Sequence, residues 1–201
     1  MNTIYHLYDK IFKKILTLSS KAVINLINGL FNTNYPLNSN IQYNWTEFEN
    51  DELKKILADT ILTINHKQSY HLEAQMTNDE TIILRVFEYG FSHANRQAVN
   101  SENFYELKFP EPKIIYFSPE ESLPEEYILK LNFGTQGYFY YKVSSFIFNK
   151  FSTEELNQRK MVILIPFKLL KLRKTLEKSR SEQNLLVYSF YWQSERLRAV
   201  M

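Results

Sequence analysis

Residues 58–75, ADTILTINHKQSYHLEAQ, read as two short strands joined by a polar turn, Asn65-His66-Lys67-Gln68. The first segment is rich in β-branched residues and the second alternates, both marks of strand. Against this apolar background stand Asp59, Glu73 and Gln75. Side chains alternate along a strand, so Glu73 and Gln75 share one face and Tyr70, Leu72 and Ala74 the other. Residues opposite one another in a hairpin share a face, so the loop length decides where Asp59 falls. A loop of His66-Lys67-Gln68 sets Asp59 opposite Gln75. A loop of Asn65-His66-Lys67 sets it opposite Glu73. An even-numbered loop puts Asp59 on the wrong face unless a bulge intervenes. The expectation is therefore an odd loop or a bulge.

Working outward, residues 5–31 show helical periodicity. Leu7, Ile11, Ile15 and Leu18 form one stripe, and Val23, Ile24, Ile27, Leu30 and Phe31 a second. Ser19 or Ser20 is placed to cap a second helix, which Asn32 to Asn40, with Pro36, ends. Residues 41–48 predict a strand carrying Glu47. Residues 78–96 predict a helix capped by Thr77 or Asn78, with Ile82, Val86, Tyr89 and His93 on its apolar face. Arg85, Glu88, Ser92 and Arg96 form its polar stripe. His93 reads as a core residue, whereas His71 shares the Glu73 face.

Residues 112–117, PKIIYF, predict a fourth strand for the core sheet. Two aromatic strands, 127–133 and 138–148, flank the turn Gly134-Thr135-Gln136-Gly137 and read as a hairpin added to that core. Packing is the expected use of its aromatics. Residues 161–165 are apolar but fit helix and strand equally. The dense basic cluster follows, with Lys168, Lys171, Arg173, Lys174, Lys178 and Arg180 against Glu177. It suits either a solvated helix face or a phosphate-contacting helix. The division expected is a core over residues 1–120, with the hairpin and basic helix over 121–201 packing on it.

The 201 residues, 44% hydrophobic and 15% aromatic, suffice for one well-cored domain. A net charge of +2 neither demands nor excludes nucleic acid, so any binding face must come from local clustering. The absence of cysteine excludes disulfides, thiolate zinc sites and cysteine nucleophiles. No run approaches ~18 apolar residues and no signal peptide is evident, so a cytoplasmic protein without membrane contact is expected. No Gly-rich phosphate loop or G-x-S-x-G elbow is present.

An Asp early in one strand followed by Glu-x-(Lys or Gln) in the next resembles the PD-(D/E)xK nuclease superfamily. Three ordered blocks sharpen this: Asp59 to Leu62 as D-x-x-L, His71 to Gln75 as H-x-E-x-Q, and Arg85 to Tyr89 as R-x-x-x-Y. They resemble the branch of PD-(D/E)xK nuclease family transposases and recombination-promoting nucleases, over roughly residues 12–173. The resemblance implies an α/β restriction-endonuclease-like core, a mixed four-stranded sheet flanked by helices, with the hairpin and C-terminal helix appended. It implies Mg²⁺, with Mn²⁺ as a substitute, held by Asp59, Glu73 and the backbone carbonyl of Ala74. Many relatives add an acidic ligand from the first helix; here Asp9 lies too early, and Glu47 is the substitute to weigh against a solvated acidic turn. The ending LLVYSFYWQSERLRAVM departs from the long charged helical tail of similar proteins, which suggests a shortened chain.

The chemistry implied is metal-dependent hydrolysis of DNA phosphodiester bonds, associated with transposition or recombination. Carboxylate oxygens suit a hard ion that keeps several waters, and the ion activates water and offsets charge on phosphate. Gln75, facing as Glu73 does, can orient water but lacks the charge of the usual Lys. Asp59, Glu73 and Gln75 are thus the catalytic candidates, and Arg85, Lys168, Lys171, Arg173 and Lys174 the DNA-binding ones. Arg85 has competing readings: a phosphate contact, a surface pair with Glu88, or a partner for Glu73. A homodimer would supply two sites for two strands. The alternatives are a degenerate nuclease fold that binds DNA without cutting it, or a non-catalytic protein-interaction module.

Overall fold

The computed structural model describes residues 11–44, 47–48, 56–57, 60–76, 78–117 and 122–168. The chain divides into two compact units, Met1–Ile163 and Leu164–Met201. The central sheet and the helices that cover it belong to the first unit.

The first described element is a helix, α1, over residues 11–16. Phe12 and Leu16 are its buried residues, while Leu18, expected on the apolar stripe, is 70% exposed. The reason is local: the helix stops at residue 16, so Leu18 lies in the connecting turn. Helix α2 (Ser20–Phe31) is capped by Ser19, whose side chain accepts from the Ala22 N–H, as Ser at an N-cap should. It ends on Asn32 in the left-handed region (φ 52). The Asn28 side chain then ties the outgoing chain down, accepting from Tyr35 N at 2.8 Å and donating to Tyr35 O at 3.0 Å.

The expected strand over 41–48 is two pieces. β1 (Ile41–Asn44) joins the main sheet, whereas β2 (Glu47–Phe48) pairs with β3 (Ile56–Leu57) in a separate two-stranded sheet. β4 (Thr60–Ile64) and β5 (Gln68–Gln75) then form the hairpin, in register from Ile64 opposite Gln68 to Thr60 opposite Leu72. Its loop is Asn65-His66-Lys67, the second of the two odd loops that alternation allows. Asn65 (φ 52) and His66 (φ 57) adopt the left-handed conformation, which these residue types tolerate better than most.

Helix α3 (Ile82–Arg96) carries the chain to β6 (Val99–Ser101), β7 (Phe104–Glu106) and β8 (Glu111–Tyr116). The helix begins later than residue 78 because Thr81 is its N-cap; the Asp79 carboxylate accepts from both the N–H and the hydroxyl of Thr81. β9 (Glu126–Asn132) and β10 (Tyr138–Ile147) complete the sheet, joined through Gly134 (φ 64) and Gly137 (φ 99), which only glycine adopts freely. Helix α4 (Thr153–Gln158) follows, with a capping box from Ser152 and Glu155.

The sheet has six strands in the order β1-β4-β5-β8-β10-β9, not four. The aromatic hairpin extends this sheet at the β8 edge: residues 144–147 of β10 pair in parallel with 113–116 of β8. A strand as buried as β8 needs a partner on both edges, and β10 supplies the second. β5 and β8 are also parallel, and the rest is antiparallel. Helices cover both faces. The Phe31 ring of α2 meets Tyr70 at 4.6 Å on one side. On the other, Ile82, Ile83 and Val86 of α3 form a core with Ile114, Tyr116, Tyr141, Val143 and Ile147. The architecture is thus mixed α/β.

Candidate functional site

Along β5, Ser69, His71, Glu73 and Gln75 face α3, and Tyr70 and Leu72 face α2. Three pairings link α3 to that row. Arg85 Nη2 donates to Glu73 Oε1 at 2.8 Å. The Tyr89 ring lies 6.1 Å from the His71 ring. His93 Nε2 is 3.3 Å from Ser69 Oγ. The helix advances four residues per pairing, ~6 Å of rise, and the strand two residues, ~6.6 Å. The near-equal strides let one helix face track one strand face, so H-x-E-x-Q and R-x-x-x-Y describe two sides of one interface.

Glu73 is 2% exposed. Its Oε1 accepts from Gln75 Nε2 at 2.7 Å as well as from Arg85. Its Oε2 lies 3.7 Å from His71 Nε2. Arg85 also reaches Asp79 Oδ2 at 3.3 Å, so one guanidinium bridges two carboxylates. Burial opposes its charge, but Glu73 and Asp79 outweigh burial and its pKa rises. The expected alternative of a Glu73–Arg85 pair is therefore observed, and the partners found for Arg85 are Glu73 and Asp79 instead of Glu88.

Beside this pair, Gln75 stands in register with Tyr116 of β8. The Tyr116 and Tyr127 hydroxyls are 2.7 Å apart, and Tyr127 donates to Asn78 Oδ1 at 2.8 Å. Burial first, then the bond to Tyr127 and the charges of Asp79 and Glu73, push the Tyr116 pKa upward and keep the phenol neutral. The site thus sits where β5 and β8 end and α3 begins.

Sequence reasoning did not find Asp79 or the Tyr116–Tyr127–Asn78 chain. Asp79 was legible as D-x-T ahead of an apolar helical run, a helix-start signal. The tyrosine chain joins residues 49 positions apart and leaves no local signal. Of the residues singled out, Glu73, Gln75 and Arg85 come together. Ala74 lies next to them, in register with Ile115. Asp59, Lys171, Arg173 and Lys174 lie outside the described residues, as does the side chain of Glu47. Lys168 belongs to the second unit, in a helical turn over 165–168.

No family model, curated protein or solved structure matches this chain. Among the described residues, no group of three or more His, Cys, Asp or Glu side chains is arranged to hold a metal ion. Donors at this site among the described residues include the Glu73 carboxylate and the Gln75 amide oxygen, with the His71 imidazole beside them. One carboxylate with neutral oxygens and water suits an ion of the Mg²⁺ type, which binds few protein ligands.

Proposed function

We propose that the chain is a metal-dependent DNA endonuclease of the PD-(D/E)xK type, acting in transposition or recombination, on a restriction-endonuclease-like core enlarged to six strands. The observation that carries the reading is a buried carboxylate, Glu73, with Gln75 hydrogen-bonded to it on the same strand face and Arg85 delivered to it by the following helix. The odd hairpin loop and the parallel β5–β8 pair also support it.

Mg²⁺ or Mn²⁺ held by Glu73, Asp59 and the Ala74 carbonyl would supply an activated water and charge on the phosphate. Gln75 then orients that water through its amide. Arg85, 38% exposed, borders solvent, where its remaining guanidinium N–H groups can reach a phosphate oxygen. The buried Tyr116 hydroxyl stays protonated and serves as a neutral hydrogen-bonding group beside Gln75.

A second reading has its own support: a guanidinium already satisfies Glu73, and Gln75 brings no positive charge. Those features suit a nuclease fold that binds DNA without cutting it. Nicking of supercoiled plasmid with Mg²⁺ or Mn²⁺ separates the two, with wild type compared to Glu73→Gln. The endonuclease predicts nicking that requires metal and disappears in the variant. A folded wild type that binds DNA with steep salt dependence but nicks nothing favours the second reading. A stable protein complex insensitive to salt marks the remaining alternative, a non-catalytic interaction module.

A further inference from the structure

We propose that His71 is a metal ligand alongside Glu73, and that the pair selects a first-row transition ion of the Mn²⁺ class over Mg²⁺. The inference rests on the metal-dependent reading above and adds to it a ligand and a metal class.

His71 is fully buried, and neither ring nitrogen has a hydrogen-bond partner among the described residues. A buried polar group without a partner costs stability and calls for a reason. Packing supplies none, because its strand partners are Ile61 and Pro112 and its helix neighbour is the Tyr89 ring, an apolar setting in which an imidazole gains nothing over Phe or Leu.

The geometry supplies one. Gln75 and Arg85 both hold Oε1 of Glu73, and this orientation leaves Oε2 directed at His71 Nε2, 3.7 Å away. That separation is too long for a hydrogen bond. It is short enough for two donors on a single ion, since ligands at ~2.1 Å each stand at most ~4.2 Å apart. Imidazole nitrogen beside carboxylate oxygen favours Fe²⁺, Co²⁺ or Zn²⁺ most and Mn²⁺ least among the transition ions, and all of them over Mg²⁺, which takes oxygen ligands. The Nδ1 acceptor that usually supports a ligating histidine is missing among the described residues, which weakens such a site by about 10–100-fold. Exchangeable binding follows, as a working nuclease ion requires.

The test is calorimetric titration of Mn²⁺ and of Mg²⁺ into the full chain, for wild type, His71→Phe and Glu73→Gln. Wild type should bind Mn²⁺ at least about tenfold more tightly than Mg²⁺. His71→Phe should erase that preference and leave Mg²⁺ affinity unchanged, and Glu73→Gln should lose both ions. Pulsed electron paramagnetic resonance of Mn²⁺ on wild type needs no variant to fold, and should show coupling to an imidazole nitrogen. A retained Mn²⁺ preference in His71→Phe, or no nitrogen coupling in wild type, overturns the proposal. The nuclease reading fails separately: nitrogen-coordinated Mn²⁺ without cleavage sinks it alone, and Mg²⁺-dependent nicking by His71→Phe with no Mn²⁺ preference in wild type sinks only the ligand assignment.

Discussion

His93 sits 3% exposed between α3 and the sheet. Burial first, then the proximity of His71 and Arg96, lower its pKa below the ordinary 6.5. The consequence for stability has a definite sign. As pH falls through about 6.5, the unfolded chain takes up a proton that the folded chain refuses. Stability is therefore full above that pH, declines below it, and levels off only beneath the lowered folded-state value. Urea midpoints at pH 7.5 and 5.5 should fall for wild type, and fall less for His93→Gln. An equal fall in both would place the acid sensitivity elsewhere. His93 also shows what is legible at this scale. Its position on the apolar stripe gave the buried role directly, because helical period alone fixes which face a residue takes. Its partner, Ser69, lies 24 positions away, and no local pattern encodes that pairing.

Among the elements, α2 runs close against the segment that follows α4 at Gly29. A Cβ added at Gly29 would stand 2.7 Å from the Met161 side chain and 3.3 Å from the Arg159 carbonyl oxygen. Alanine in place of glycine ordinarily stabilises a helix by about 1 kcal/mol. Here Met161 is fully buried and the carbonyl belongs to the backbone, so overpacking outweighs propensity. Gly29→Ala should lose about 1 kcal/mol net, read from chemical denaturation; a gain would mean that Met161 has room to retreat. The hairpin teaches a related lesson about elements. Alternation placed Glu73 and Gln75 on one face, and it could not choose between two three-residue loops. Two consecutive left-handed residues, Asn65 and His66, settle the choice, held by an Asn65 side chain that accepts from Asn40 N at 2.9 Å. The boundary of α3 was missed for a similar reason, since Asp79 bonds to Thr81 and delays the first helical turn.

For the whole molecule, what escaped the sequence was connectivity. Residues 126–147 carry a hairpin signature, and strands, turn and glycines were all legible in place. Their membership in the central sheet depends on the parallel β8–β10 pair, a long-range register without a sequence mark. The difference can be measured. Val143 is fully buried in the core shared by α3, β8 and β10. Val143→Ala should cost about 2 kcal/mol and lower one cooperative transition, with circular dichroism and tyrosine fluorescence shifting together. Two separated transitions would mean that the hairpin unfolds apart from the rest of the sheet.

The matched strides of α3 and β5 bear finally on how this chain can vary. Inserting a single residue between Arg85 and Tyr89 would turn the remainder of α3 by about 100°. Tyr89 would leave His71 and His93 would leave Ser69 in one event, while Arg85 stayed on Glu73. Substitutions along the helix can be tried one at a time, but its length between these positions cannot drift.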